Sequence, residues 1–285
     1  MEKQLVLREK VISGIDLLPS LSPAVQEIIV ISNDITASPK DLLEIIRTDP
    51  VLTAKILRLV NSAYFSLSHQ VLSLNRALVL LGFNTIKNIA ISTEFVKLSS
   101  NSPSNKFFQY QDLWEHMIGV GAAGKYIARG CGEDRKTLEE YFIAGLIHDL
   151  GDFLLMRFLP EEYHRIRVFA LDKNLSLRDC SRQVLGFSSG EMGVALAGRW
   201  KLQDHLKKVI AKLENPNQIP EDKLGKVVML ADKFCRANGV GFVSDMVNSD
   251  ISEGELVELG LSPTFFVDHK DGLLDEIAKA KVFIT

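Results

Sequence analysis

Two histidines and two aspartates occur in strongly apolar, helix-forming parts of this 285-residue sequence. His116 lies in LWEHMIGVG, the adjacent pair His148 and Asp149 lies in AGLIHDLGD, and Asp232 lies in VVMLADKFC. Imidazole and carboxylate groups are costly to bury unless another group pairs with them. We therefore predict that these four side chains meet at one point, where they can hold a metal ion.

Helical spacing places two of these side chains on apolar helix faces. His116 lies three residues after Leu113 and four before Val120, so it shares their inward face. Asp232 lies four residues after Val228 and three before Cys235, so it shares the face of those two residues. A single histidine on an apolar helix face is more often a hydrogen-bonded core residue than a ligand, and a single aspartate can cap a helix or pair with a nearby cation. Only convergence of the four distinguishes a metal site from that alternative.

The pair His148 and Asp149 requires a break in its helix, because neighbouring side chains on a straight helix diverge by about 100 degrees. Gly151, just after the pair, permits such a break. Two imidazoles and two carboxylates form a mixed nitrogen and oxygen site suited to one divalent ion of iron, manganese, zinc or nickel. Such an ion can lower the pKa of a bound water and make it a nucleophile toward a phosphoester.

The composition predicts a folded protein without a favoured charged partner. The chain is 46% hydrophobic, has a formal net charge of -3, and contains three widely spaced cysteines without a CxxC pair. The net charge provides no general attraction to nucleic acid or anionic membranes. The cysteines indicate neither a disulfide framework nor a thiolate zinc site. Because signal-peptide and membrane-span patterns are absent, we expect a cytoplasmic protein.

Residues typical of helix starts, together with helical periodicity, predict an all-α fold. Ser22-Pro23, Ser38-Pro39 and Asp49-Pro50 each place a capping side chain before a proline suited to the first helical position. Apolar residues then recur with the period of a helix, and no stretch alternates with the period of a strand.

Two further segments predict how the helices are grouped. Gly82 ends the helix NRALVLL, and the apolar segment 138–159 is typical of a central buried helix or helix pair. The polar, proline-containing stretch 99–105 marks a boundary. We therefore divide the chain into an N-terminal helical lobe, residues 1–105, and a C-terminal helical lobe, residues 106–285.

Several segments resemble the HDOD domain, an output-domain relative of the HD superfamily of metal-dependent phosphohydrolases. The resemblance covers about residues 14–240 and is carried by LPSLSPAVQEI, DPVLTAKILRLVNSAYF, LNRALVLLG, LWEHMIGVGAAG and YFIAGLIHDLGDFLL. It implies an all-α HDOD-type fold in which an N-terminal helical bundle packs on an HD-like helical core. It also implies a ligand set, since active HD hydrolases hold a metal through a first His, an HD pair and a distant Asp. These correspond to His116, His148, Asp149 and Asp232.

The same resemblance limits catalysis. Related cyclic-dinucleotide phosphodiesterases read HDIGK where this chain reads HDLGD, so Asp152 replaces a phosphate-facing lysine and is expected to repel phosphate. Residues that hold additional metals are also replaced. Ser188-Ser189 stand where related sequences have a His, and Leu213-Glu214 stand where they have an HH pair.

We interpret the chain as a non-catalytic signalling or regulatory HDOD module that acts through protein contacts with signalling proteins in a bacterial pathway, with or without a single divalent metal. The alternative is a mononuclear metal-dependent phosphohydrolase acting on a nucleotide or cyclic dinucleotide. Helix-turn-helix-like spacing in residues 75–92 suggests nucleic-acid binding, but the net charge argues against it. Asn61, Tyr64 and Phe65 form either a contact surface or packing between the lobes.

Overall fold

The structure is a computed structural model that describes residues 2–18, 20–32, 34, 36–100, 106–135, 137–173, 175–212, 220–241 and 250–284. Within these ranges the chain forms helices and no strand, as the predicted all-α fold requires. None of the described helices is both long and apolar enough to cross a membrane.

The first helices begin at the predicted caps. Ser22, Ser38 and Asp49 each accept hydrogen bonds from backbone N–H groups in the first turn of the helix that follows. These bonds satisfy donors that otherwise lack a partner at a helix start. The helices of this part are α1 (Glu2–Leu17), α2 (Pro23–Ile31), α3 (Pro39–Arg47), α4 (Pro50–Val60) and α5 (Leu74–Ser100).

Helix α5 is broken at Gly82, where the sequence predicts a helix end. Gly82 has φ 83° and ψ 169°, a conformation that is almost exclusive to glycine. Helical structure resumes directly after this residue, so α5 consists of two helical segments joined by a sharp bend.

The remaining chain surrounds a central helix, α6. This helix packs against α7, α13 and α16. The backbones of α6 and α7 nearly touch, since a Cβ added at Gly145 would lie 2.6 Å from the backbone of Gly121. The helices of this part are α6 (Tyr110–Gly130), α7 (Leu138–Ile147), α8 (Leu150–Phe158), α9 (Pro160–Lys173), α10 (Leu177–Leu185), α11 (Ser189–Arg199), α12 (Asp204–Lys212), α13 (Lys223–Ala237), α14 (Glu253–Glu258), α15 (Phe265–Asp268) and α16 (Lys270–Ala280).

The apolar segment 138–159 is a helix pair. Helix α7 ends at Ile147 and α8 begins at Leu150, so the break falls on His148 and Asp149 themselves. Gly151 lies inside α8 and is needed for a different reason than the one predicted. A Cβ at this position would lie 1.8 Å from the carbonyl oxygen of Ser189, so Gly151 permits α8 to pack closely on the start of α11.

Of the predicted cluster Asn61, Tyr64 and Phe65 after α4, Tyr64 lies in the core. Tyr64 is buried, and its ring centre lies 5.9 Å from that of Phe142 in α7 and 5.4 Å from that of Phe283 near the C-terminus. The Asn61 amide donates to the carbonyl of Val71 and accepts from its N–H group, which fixes the loop between α4 and α5. These contacts favour packing over a partner surface for Asn61 and Tyr64.

The predicted division of the chain at residue 105 stays a prediction, because residues 101–105 lie outside the described residues. Helices before residue 105 contact helices after it. Helix α1 packs against α8, α10 and α11, and residues 281–283 pack against α5 and α6.

Candidate metal centre

Three helical segments bring the four predicted side chains together. His116 Nε2 lies 3.2 Å from Asp232 Oδ1 and 3.6 Å from Asp149 Oδ2. His148 Nε2 lies 3.2 Å from Asp149 Oδ2 and 3.8 Å from Asp232 Oδ1. Ligand atoms of His116, His148 and Asp149 all lie within 4.8 Å of one another. Helix α6, the α7–α8 junction and α13 therefore place two imidazoles and two carboxylates around one point.

Backbone carbonyls orient both imidazoles. His116 Nδ1 lies 3.2 Å from the carbonyl oxygen of Val240, and His148 Nδ1 lies 2.6 Å from that of Gly145. Because a carbonyl oxygen only accepts, each Nδ1 must carry the hydrogen, and Nε2 of a neutral ring then presents its lone pair. A histidine that binds a metal through one nitrogen commonly donates from the other in this way.

The donor set fits a divalent cation. Both Nε2 atoms are buried and make no hydrogen bond, although each faces two carboxylate oxygens. A lone pair facing a carboxylate is repulsive unless a proton or a metal ion lies between them. Two nitrogen and two oxygen donors would suit a first-row divalent metal.

The centre attracts positive charge. Burial by itself lowers the pKa of the His148 imidazole, but the negative charges of Asp149 and Asp232 outweigh it and raise that pKa to about 9. Burial likewise raises the pKa of Asp232, but Arg236, followed by the histidines, holds it well below its ordinary value. A proton on His148 therefore occupies the position of a cation and competes with any metal ion.

Arg236 is part of the centre and was not predicted from the sequence. Its guanidinium donates a short hydrogen bond to Oδ2 of Asp232, four residues earlier on α13. This bond leaves Oδ1 of Asp232 directed at the two histidines. The spacing of four residues is the available sequence signal, since oppositely charged side chains at that spacing are neighbours on a helix.

The Asp152 carboxylate has a positively charged side chain, Arg167, near it. It is buried in the first turn of α8, close to Tyr163 and Arg167 of α9. Burial, followed by the negative charges of Asp152 and Asp149, raises the pKa of the Tyr163 hydroxyl well above its ordinary value. The guanidinium of Arg167 offsets the charge of Asp152, so the repulsion of phosphate expected at this position is reduced.

Of the positions at which related sequences have further histidines, the structure describes Ser188 and Ser189. Ser188 is fully buried, and its side chain caps α11 by accepting from the N–H group of Glu191. Leu213 and Glu214 lie outside the described residues.

The sequence profile of the HDOD domain matches residues 18–216. This chain belongs to the HDOD family. The match includes His116, His148 and Asp149 and ends before Asp232, so the fourth candidate ligand lies on a helix beyond the matched region.

Solved structures share the fold over nearly the whole chain. An HDOD domain protein of unknown function from Geobacter sulfurreducens has a TM-score of 0.80 and 22% sequence identity, and the match covers 99% of this chain and 98% of that one. A protein from Marinobacter aquaeolei VT8 that is named for signal transduction has a TM-score of 0.73 and 19% identity. That match covers 99% of this chain and 67% of the other.

A curated relative is longer than this chain. An uncharacterized protein from Treponema pallidum (strain Nichols) is 23% identical over 216 residues. The match covers 76% of this chain and 41% of the relative, so this chain spans less than half of the length of that protein.

Proposed function

We propose that this HDOD protein is a non-catalytic regulatory module that holds one divalent metal ion and acts through contacts with signalling proteins. The burial of the candidate centre carries this proposal. The two imidazoles are each 1% exposed, and the carboxylate side chains of Asp149 and Asp232 are 13% and 11% exposed. A hydrolytic metal needs an open coordination position that a substrate can reach. A closed centre is better suited to holding helices together than to turning over a phosphoester.

Four atoms would hold the metal: Nε2 of His116, Nε2 of His148, Oδ2 of Asp149 and Oδ1 of Asp232. A bound divalent ion would supply positive charge between α6, the α7–α8 junction and α13. Because an unfolded chain has no such preformed site, binding would stabilise the fold. The metal would thus fix the packing of the helices on which a contact surface depends.

One cation of the centre is already engaged with a carboxylate. Arg236 is bound to Asp232. Phosphoryl transfer depends on positive groups that stabilise the charge of the transferring phosphate. This engagement also supports the non-catalytic role.

The second candidate function is a mononuclear phosphohydrolase acting on a nucleotide or cyclic dinucleotide. It is favoured by the four donors, which are of the types that hold a hydrolytic metal in HD enzymes. In that function a bound metal would lower the pKa of a water molecule, and Asp149, at the more exposed edge of the centre, would orient that water for attack.

Phosphoesterase assays on the metal-loaded protein distinguish the two functions. Protein loaded separately with iron, manganese, zinc and nickel is assayed with bis(p-nitrophenyl) phosphate, nucleotides and cyclic dinucleotides. The proposal predicts bound metal and a rate no greater than that of His148→Ala, with the exposed His269→Ala as the matched control. A metal-dependent rate that is lost in His148→Ala and kept in His269→Ala would establish the enzyme instead.

A further inference from the structure

A second polar site lies beside the metal centre. A cleft of about 430 Å³ opens between the start of α6 and helix α9, and none of the four candidate metal ligands lines it. Its volume is within the range of small-molecule binding sites. The cleft is therefore large enough for a ligand that is distinct from the metal.

The charges of the cleft favour an anion. Lys106 and Arg167 bring two positive charges to its lining, and Asp112 brings one negative charge. A planar guanidinium is well suited to binding a phosphate through paired hydrogen bonds, and an ammonium adds a second positive charge. The Asp112 carboxylate can in turn accept a hydrogen bond from a hydroxyl group of the same ligand.

Two consecutive aromatic residues hold these cations and provide a flat apolar wall. The Arg167 guanidinium carbon lies 5.5 Å from the ring centre of Phe108, and Lys106 Nζ lies 4.7 Å from that of Phe107. Phe107 is also stacked on His164, with ring centres 4.6 Å apart and an angle of 19° between the rings. An aromatic platform next to cations suits a nucleobase attached to a phosphate.

We propose that this cleft binds a nucleoside phosphate. Its phosphate would lie between Lys106 and Arg167, and a sugar hydroxyl would donate to Asp112. Because His164 covers one face of Phe107, the base would take the other face, from which the Lys106 ammonium would move to the phosphate. All three groups belong to one small molecule, whereas inorganic phosphate would use only the two cations.

Two connections link the cleft to the metal centre. Gly241 lines the cleft, and the preceding residue, Val240, accepts the hydrogen bond from Nδ1 of His116. On the opposite side, Arg167 lies close to Asp152, whose N–H group donates to the carbonyl of Asp149 at 3.0 Å. A ligand in the cleft would thus contact a neighbour of Val240 and a neighbour of Asp152, which are hydrogen-bonded to His116 and to the Asp149 backbone. It would give the proposed regulatory module an input, but its binding does not depend on that role.

Calorimetric titration tests this site. The full chain is titrated with the 5′-monophosphates of adenosine, guanosine, cytidine and uridine, and with ribose 5-phosphate, both after metal removal by a chelator and after metal loading. We expect at least one nucleotide to bind with a Kd below about 1 mM and more tightly than ribose 5-phosphate. Lys106→Gln and Arg167→Gln should each weaken binding by about tenfold. The matched control Arg165→Gln, on the exposed face of the same helix, should bind as the unmodified protein does.

Three results would overturn the proposal: no nucleotide binds in either state, ribose 5-phosphate binds as tightly as the nucleotides, or Lys106→Gln and Arg167→Gln bind as the control does. Lys106 is exposed, so its variant remains informative even if loss of Arg167 disturbs Asp152. Nucleotide binding by the chelated protein supports the cleft even where the centre holds no metal. Metal binding without nucleotide binding would overturn the cleft alone.

Discussion

Two backbone carbonyls and one guanidinium set the orientation of the candidate ligands. Val240 and Gly145 each accept from an imidazole Nδ1, and Arg236 donates to the outer oxygen of Asp232. The four candidate ligands could be predicted to lie together because their polarity conflicts with their apolar helix faces. The contact between His116 and Val240 could not, because the two residues are 124 positions apart and a carbonyl has no sequence signal.

Arg236 is a positioning residue for Asp232. In Arg236→Gln the carboxylate loses its fixed orientation, and we expect the affinity for the bound divalent metal to fall by about 10- to 100-fold. The measurement is a competition titration against a chromogenic chelator. Arg129→Gln, which removes an exposed arginine from the last turn of α6, serves as the control. Equal affinities in the two variants would show that Arg236 has no role at the centre.

At the scale of helices, the breaks determine where chemistry can occur. The α7–α8 break directs His148 and Asp149 to one point, and the sequence predicts a break there because the apolar segment contains the HD pair and a glycine. The role predicted for Gly151 was wrong. Glycine is required here because the carbonyl of Ser189 on α11 leaves no room for a side chain, and sequence spacing does not identify that neighbour.

The substitution Gly82→Ala tests whether the break inside α5 requires glycine. A side chain at φ 83° and ψ 169° is strained, so Gly82→Ala should lower the free energy of unfolding by about 1–3 kcal/mol. No atom lies within 4 Å of the added Cβ, so the loss would come from the backbone conformation alone. Gly198→Ala is the control, since this helical position is equally open and alanine should stabilise it by up to about 1 kcal/mol. Urea unfolding measures both, and a Gly82→Ala protein as stable as the control would contradict the strain.

A buried ion pair connects α6 to α7 beneath the α4–α5 loop. Lys125 and Glu139 are 10% and 8% exposed, and the Lys125 ammonium lies 4.7 Å from the ring centre of Tyr64. Lys125→Met leaves the carboxylate buried without its partner, so we expect a loss of about 3–5 kcal/mol in the free energy of unfolding. The double variant Lys125→Met/Glu139→Met should recover most of this loss.

The exposed pair Lys279 and Asp275 supplies the comparison. Lys279→Met should lower the free energy of unfolding far less than Lys125→Met does, because water screens this pair. If Lys125→Met were no more destabilising than Lys279→Met in urea unfolding, the buried pair would not contribute to joining the helices.

At the scale of the whole molecule, the sequence predicts the helical class and the family, and the fold agrees with both. What it does not predict is how the parts contact each other. The packing of Tyr64 against Phe142 and Phe283 joins residues 78 and 219 positions apart, and the cleft beside α9 forms only once α6 and α9 are packed. Such contacts depend on the assembled core, since helical periodicity shows which face is buried but not its neighbour.

The metal content of the purified protein tests the central claim most directly. Elemental analysis by mass spectrometry, after loading and desalting, should find about one divalent ion per folded chain. It should find almost none in His116→Ala, His148→Ala, Asp149→Asn and Asp232→Asn when circular dichroism shows that each is folded. His164→Ala, a histidine outside the centre, should keep the ion. A metal-free protein after loading, or retention of the ion in all four variants, would contradict a metal centre at this point of the fold.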